Sequence, residues 1–176
     1  MSSHFIENDQ VTNDPADEPR WLDDDEMATW IALVSVTVWL PSALDAQLQR
    51  HAGLSHFEYQ VLAMLSESPQ RTARMSDVAK QSNGSLSRLS HVVDRLVKRG
   101  WVARFADPAD GRYTLARLTD AGWEKVKATA PGHLNAVRQL VFDPLSKAQS
   151  RQLHAIAGRI RHAINPEDDC LPPRAI

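Results

Sequence analysis

The sequence predicts a mostly α-helical fold with one small β-hairpin. Apolar residues recur at helical spacing along most of the 176 residues. Two alternating segments, 101–105 and 113–118, flank a stretch rich in turn residues, as the strands of a hairpin do. Because two short helical segments precede this hairpin, residues 74–122 have the order of a winged helix-turn-helix. We expect the remaining helices to flank this unit on both sides.

The segment 85–99 predicts an amphipathic helix. Its apolar residues Leu86, Leu89, Val93 and Leu96 have the spacing of one buried stripe. The opposite face combines serine hydroxyls with arginine and histidine, which suit the edges of base pairs and the phosphates beside them. Gly100 follows two basic residues and is expected to end the helix.

The motifs of the hairpin carry a family resemblance. Six residues match the wing pattern and the sequence that follows it in the MarR (multiple antibiotic resistance regulator) family: Asp107, Asp110, Arg112, Leu118, Thr119 and Gly122. The segment 94–100, DRLVKRG, resembles the end of the family's recognition helix. Together, and in this order, the two motifs are far more specific than either one alone.

The resemblance implies a regulator of transcription that binds double-stranded DNA as a homodimer, with no cofactor. In the family, the recognition helix enters the major groove and the wing reaches the adjacent minor groove. Carried over to this chain, the recognition-helix candidates are Ser85, Ser87, Arg88, Ser90, His91 and Arg95. The wing candidates are Asp110, Gly111 and Arg112, with Asp110 holding Arg112 through a charge-assisted hydrogen bond. Gly111 replaces an arginine that is common in the family.

The distribution of charge supports a localised nucleic-acid surface. The whole chain has a formal net charge of −2. Residues 71–117 contain ten cations and four anions, so this segment carries +6 and the remainder −8. A basic segment in an acidic protein is typical of a local DNA-contact surface.

The order of these features divides the chain into five segments. We expect an acidic disordered tail (1–22), an N-terminal dimerisation helix (23–52), the winged helix-turn-helix (53–122), C-terminal dimerisation helices (123–165) and a disordered tail (166–176). The four carboxylates at 23–26 are expected to begin the first helix, which should run to about residue 49. Whether Pro41 and Pro131 kink or break their helices is left open by the sequence.

The terminal helices carry more apolar surface than one small domain can cover. A two-fold dimer covers this surface most simply, although a larger monomeric helical cap also fits the pattern. No uninterrupted apolar run reaches the roughly 18 residues of a membrane span, and the acidic N-terminus is unlike a signal peptide. With a single cysteine, Cys170, these features favour the cytoplasm and no contact with a membrane.

Members of this family usually respond to a small molecule, often an aromatic acid. The residues that we consider for such an effector pocket are Trp30, Trp39, His51, His56 and Tyr59. Aromatic residues at helical spacing more often belong to a core. The seven histidines show no ligand spacing, so we expect no metal site. Cys170 follows three anions, which should raise its pKa and blunt its reactivity.

Two other classes of function are weighed against a DNA-binding regulator. The sequence lacks the HExxH, G-x-S-x-G and glycine-rich phosphate-loop motifs, so we expect no catalytic residues and no enzyme activity. A winged helix used only for protein contacts is the alternative, but its recognition helix should expose an apolar face. Within the class of DNA-binding regulators, we expect a repressor of a palindromic operator that a small molecule releases.

Overall fold

The computed structural model describes residues 19–82 and 84–166. Most of the two tails predicted at 1–22 and 166–176, including Cys170, lies outside the described residues. Helices and strands follow in this order: α1 (Asp24–Ala52), α2 (His56–Glu67), β1 (Thr72–Arg74), α3 (Met75–Gln81), α4 (Leu86–Lys98), β2 (Val102–Ala106), β3 (Thr114–Leu118), α5 (Asp120–Val137) and α6 (Lys147–Ile164). The chain divides into two compact units, Met1–Thr37 and Val38–Ile176.

Helix α1 begins with the acidic run, as predicted. The Glu26 backbone N–H donates to Asp23 Oδ1 at 2.8 Å, and the Asp23 N–H donates to Glu26 Oε2 at 3.1 Å. The two carboxylates therefore satisfy backbone groups that a helix start leaves without partners. The helix continues through Pro41 without a break, and Gly53 follows it with a φ of 63°.

Helix α1 corrects one expectation about membranes. The helix contains an 18-residue window with a mean hydropathy of 1.6. By length and composition alone, it is therefore long and apolar enough to cross a bilayer. Scattered polar residues interrupt this segment, so it contains no long uninterrupted apolar run. An apolar helix that packs against a second subunit has the same composition, so the window is weak evidence for a span.

The core of the second unit is built around α2 and α4. The Ser-x-x-Glu pattern at 55–58 predicts a capping box, and the structure contains it, with the Ser55 Oγ accepting the Glu58 N–H and Glu58 accepting the Ser55 N–H. Below this turn, α2 buries Val61, Leu62 and Leu65 completely. Helix α4 buries Leu89, Val92, Val93 and Leu96 against them. This shared core fixes the position of α4 relative to α2.

The sheet has three strands rather than the two of the predicted hairpin. Its order is β1-β3-β2, and both pairs are antiparallel. The hairpin pairs Val102 with Leu118 and Ala106 with Thr114. Strand β1 pairs Ala73 with Ala116. Three residues are too few to show alternation, so β1 gave no signal in the sequence.

The helix-turn-helix differs from the prediction at two positions. Serine commonly caps helices, so Ser76 predicts an N-cap for α3, but the helix begins at Met75 directly after β1 and Arg74 occupies the cap position. Leu86 is not buried, since 55% of it is exposed. It lies in the first turn of α4, where the stripe extends past the core and lines the cleft between α4 and the wing.

The C-terminal helices include a continuous α5, because Pro131 lies inside it without breaking it. A π-helical turn, Arg138–Phe142, follows α5. The Ser-x-x-Gln pattern at 146–149 predicts a capping box, and this box begins α6. No residue of α6 is buried, and the apolar residues at helical spacing along it are exposed, with Leu153 at 44% and Ile156 at 55%.

Candidate nucleic-acid interface

Helix α4 exposes the polar face that its sequence predicts. The Ser85 Oγ accepts the Arg88 N–H at 3.2 Å and caps the helix. Ser85, Ser87, Arg88, His91 and Arg95 are exposed, and Ser90 is half-buried. Since the apolar stripe holds the other face in the core, these side chains project away from it.

Two clefts flank this polar face. A cleft of about 490 Å³ separates α4 from the wing, and Ser87, Ser90, His91 and Arg112 line it. A more open cleft of about 1080 Å³ lies between α4, α2 and the C-terminal half of α1. Ser87 and His91 line both clefts, so they form the ridge between them. The structure thus brings residues of the helix and the wing to one surface.

The wing residues form the contact that the resemblance implied. The Arg112 Nε donates to Asp110 Oδ1 at 2.9 Å, and the Arg112 Nη2 donates to Asp110 Oδ2 at 2.7 Å. This bidentate bond lowers the pKa of Asp110 and raises that of Arg112. The Arg112 side chain is 84% exposed. Its guanidinium is therefore both charged and available at the end of the hairpin.

Asp107 secures the base of the wing. Its Oδ1 accepts the Ala109 N–H at 2.9 Å, and its Oδ2 accepts the Arg74 Nη2 at 3.1 Å. The Ala109 hydrogen bond and then the Arg74 contacts lower the pKa of Asp107 below its usual value. The Arg74 guanidinium also lies 4.2 Å from the centre of the Tyr113 ring. The turn is thus held to β1 as well as to its own strands.

Arg104 is a residue of this surface that the sequence did not single out. From β2, its Nη1 donates to Asp94 Oδ1 at 2.9 Å and to Ser90 Oγ at 3.1 Å. These bonds connect the wing directly to α4. In the sequence Arg104 is one of ten cations in a basic segment, and nothing local identifies its partners.

Two recognition-helix arginines contact α2. The Arg95 Nε donates to Glu58 Oε1 at 3.0 Å, while 52% of the Arg95 side chain remains exposed. The Arg88 guanidinium lies 4.4 Å from the centre of the Phe57 ring. Burial raises the pKa of Glu58, but the Ser55 N–H bond and the two neighbouring arginines outweigh burial and hold the pKa below its ordinary value.

The five residues considered for an effector pocket fall into two groups in the structure. His56 and Tyr59 line a cavity of about 400 Å³ between α2 and α5, and His133 joins them there. The Tyr59 and His133 ring centres are 4.6 Å apart, and those of His56 and His133 are 6.0 Å apart. Nothing in the local sequence signals that His133 faces residues so far back along the chain.

The other three residues do not line this cavity. Trp39 is 71% exposed, and Trp30, in the N-terminal unit, is 54% exposed. His51 Nδ1 lies 3.2 Å from the amide nitrogen of Gln47, one helical turn away. Tyr59 is buried, in line with the core interpretation, whereas both tryptophans are exposed because no described part of the chain covers them.

The histidines of the cavity are shifted toward their neutral forms. Burial lowers the pKa of His56, partly opposed by the nearby Asp45 charge. Burial also lowers the pKa of His133, and His56 adds to the effect. Over residues 19–82 and 84–166, no cluster of three or more His, Cys, Asp or Glu side chains could hold a metal ion.

The arrangement defines a class: a winged helix-turn-helix with a basic, hydroxylated recognition helix. A family model described as "MarR family" matches residues 54–114. A solved MarR family regulator from Streptomyces coelicolor, crystallised in complex with DNA, is 44% identical. The match covers 85% of this chain and 97% of that one, with a TM-score of 0.80. The chain belongs to the MarR family of transcription regulators.

Two further relatives agree with this assignment. The MarR family regulator AbsC from Streptomyces coelicolor is 35% identical, and the match covers 81% of this chain and 99% of that one, with a TM-score of 0.73. The HTH-type transcriptional regulator PecS from Dickeya dadantii is 26% identical over 93% of this chain and 98% of its own length. Both relatives are named as transcriptional regulators.

Proposed function

We propose that this protein is a homodimeric, cytoplasmic regulator without enzyme activity that binds specific double-stranded DNA. Helix α4 enters the major groove, and Arg112 of the wing reaches the adjacent minor groove. The observation that carries the proposal is the shared surface of α4 and the wing, where hydroxyl, imidazole and guanidinium groups project beside one cleft. The DNA complex of the 44% identical relative supports it.

A two-fold dimer of segments 23–52 and 123–165 would present two such surfaces. The operator is then roughly palindromic, with half-sites about one helical turn, ~34–36 Å, apart. Binding at a promoter would exclude polymerase, so we propose repression. The protein-interaction alternative is not favoured, because the exposed face of α4 is polar and basic rather than apolar.

Fluorescence anisotropy with a duplex selected from a random library, over a salt series, tests DNA binding. We expect affinity that falls steeply with salt, because bound cations release counterions from the phosphates. Arg112→Ala should weaken binding and reduce the slope of log K against log[salt] by about 1. Lys127→Ala, which removes one exposed cation from α5, is the charge-matched control. Failure to select any duplex would exclude the proposal.

The exposed stripe of α6 supports the homodimer. Four apolar side chains at helical spacing remain 39–79% exposed within the described chain, and such patches usually mark an interface: Leu153, Ile156, Ile160 and Ile164. Light scattering should give about twice the 19.7 kDa chain mass. Ile156→Glu should give monomers, whereas His154→Glu, outside this stripe, should not. A monomeric wild-type protein would reject the dimer.

The cavity between α2 and α5 is the proposed site of a small aromatic effector. Its volume of about 400 Å³ lies within the ~300–1,000 Å³ typical of ligand sites. His133 Nδ1 is buried without a hydrogen-bond partner among the described residues. An aromatic ring with a carboxylate or hydroxyl group would fill the apolar walls and satisfy this nitrogen.

Salicylate is a suitable first probe of this cavity. It should release DNA from the wild type and from His51→Phe, which lies outside the cavity, but not from His133→Phe. Release from all three proteins would place the effector site elsewhere. No release from the wild type would remove simple aromatic acids as the effector class without affecting the DNA-binding proposal.

A further inference from the structure

The first turn of α2 contacts both arginines on the exposed face of α4. Phe57 lies under Arg88, and Glu58 binds Arg95. In the sequence, Ser55 and Glu58 are only a capping box that begins a helix. In the structure this turn lies against the surface that we propose for DNA.

Glu58 is held rigidly and remains charged. Its side chain is only 5% exposed. Oε2 accepts the Ser55 N–H at 2.8 Å, and Oε1 accepts the Arg95 Nε at 3.0 Å. Arg99 adds a second positive charge 4.0 Å from Oε2. The turn is also fixed to α1, because the His56 N–H donates to Asp45 Oδ1 at 2.8 Å.

Arg95 is therefore anchored through only part of its guanidinium. The bond to Glu58 uses Nε, and no bond from its terminal nitrogens to another described residue accompanies it. The two terminal nitrogens have the donors that bidentate binding of a base edge requires. With 52% of its side chain exposed, Arg95 is oriented and still accessible.

Phe57 packs against the core and has close neighbours on two sides. One face supports the Arg88 guanidinium at 4.4 Å from the ring centre. On another side the ring lies against Gly84, where an added Cβ would be 2.9 Å from Phe57 Cζ. The glycine thus permits the ring to reach Arg88. A guanidinium stacked on a fixed ring retains few of its rotamers.

We propose that Phe57 and Glu58 are positioning residues that orient Arg88 and Arg95 for base recognition. The inference rests on the proposed DNA binding. Arginines that are ordered before binding lose less conformational freedom when they meet a base, and they meet it in one geometry. Sequence discrimination therefore depends on residues of α2 that do not themselves touch DNA.

The test compares affinities of full-length protein for the selected duplex and for a duplex with both half-sites scrambled. Glu58→Gln preserves volume but removes the charge that holds Arg95. We expect the ratio of the two affinities to fall about tenfold, within the discrimination of one bidentate contact, mainly through weaker binding to the selected duplex. Glu67→Gln, the same change at the other end of α2, should leave the ratio unchanged.

A double-mutant cycle separates positioning from a general structural role. Arg95→Ala should lower the ratio, and Glu58→Gln should have no further effect in that background. Additive losses, or equal weakening on both duplexes, would overturn the proposal. Phe57→Leu with Arg88→Ala forms a second cycle that leaves the Glu58 cap intact, in case Glu58→Gln unfolds the protein.

The outcomes distinguish a failure of the positioning role from a failure of the proposed DNA binding. Binding of a selected duplex with an unchanged affinity ratio in both cycles rejects the positioning role and leaves the proposed function intact. Failure to select any duplex rejects the proposed function and the positioning role with it. A fall in the affinity ratio in either cycle, with the losses of the two single variants not additive, supports the inference.

Discussion

Gly122→Ala tests the junction that carries the wing. A Cβ at Gly122 would lie 2.1 Å from the Trp101 carbonyl oxygen, 2.7 Å from Leu118 Cδ1 and 3.0 Å from the Trp101 carbonyl carbon. The obstacle is mainly backbone, which cannot rotate aside as a side chain can. The same Trp101 oxygen accepts the Thr119 N–H at 3.0 Å. The substitution therefore pushes apart the start of β2 and the start of α5.

The magnitude follows from the overlap. Excess atoms in a packed site cost about 1–3 kcal/mol, occasionally more, and a backbone clash at this distance belongs at the upper end. Taking about 3 kcal/mol and roughly 2–4 °C per kcal/mol for a chain of this size, the midpoint of thermal unfolding should fall by roughly 6–12 °C. Circular dichroism at fixed protein concentration measures it, because dimerisation makes the midpoint concentration-dependent.

Gly132→Ala, in the same helix, is the matched control. The nearest atom to its added Cβ is Gln47 Nε2 at 3.7 Å, an ordinary contact. Alanine is favoured over glycine inside a helix by about 0.5–1 kcal/mol, so this variant should be unchanged or slightly more stable. Equal midpoints for Gly122→Ala and Gly132→Ala would refute the close-approach argument.

Two further stability predictions follow from the same structure. Thr119→Val removes the hydroxyl that caps α5 at the Gly122 N–H and donates to the Gly100 carbonyl at 2.7 Å, so it should cost about 1–2 kcal/mol in chemical denaturation; an unchanged midpoint would show that water replaces both bonds. Burial lowers the pKa values of His56 and His133, so the unfolded state binds more protons than the folded state as the pH falls. The contribution of the two neutral histidines to folding stability is therefore complete above about pH 6.5 and is lost as the pH falls toward their folded pKa values. Substituting phenylalanine for both histidines should reduce the loss of folding stability at acid pH, as measured by denaturant titrations at several pH values. An unchanged pH profile would contradict the assignment.

Much of the fold could be predicted because its signals are local. The capping boxes at Ser55 and Ser146 and the cap at Thr119 each link residues three apart in the sequence. The Asp110–Arg112 bond spans two residues. Groups this close along the chain meet whenever the local backbone conformation forms, so spacing alone identifies them. The buried stripe of α4 follows from helical periodicity in the same way.

The sequence by itself determined the winged helix-turn-helix, its caps, and which face of α4 is polar. Only the tertiary structure decided that Glu58 holds Arg95, that Asp94 holds Arg104, and that His133 faces His56 across a cavity. It also decided that Leu86 lies beyond the core and that Gly122 meets a backbone carbonyl. Any arginine can pair with any carboxylate by charge, so the partner of each is chosen by the packing of helices and strands. Sequence patterns report the period of one element, whereas these contacts depend on where separate elements meet.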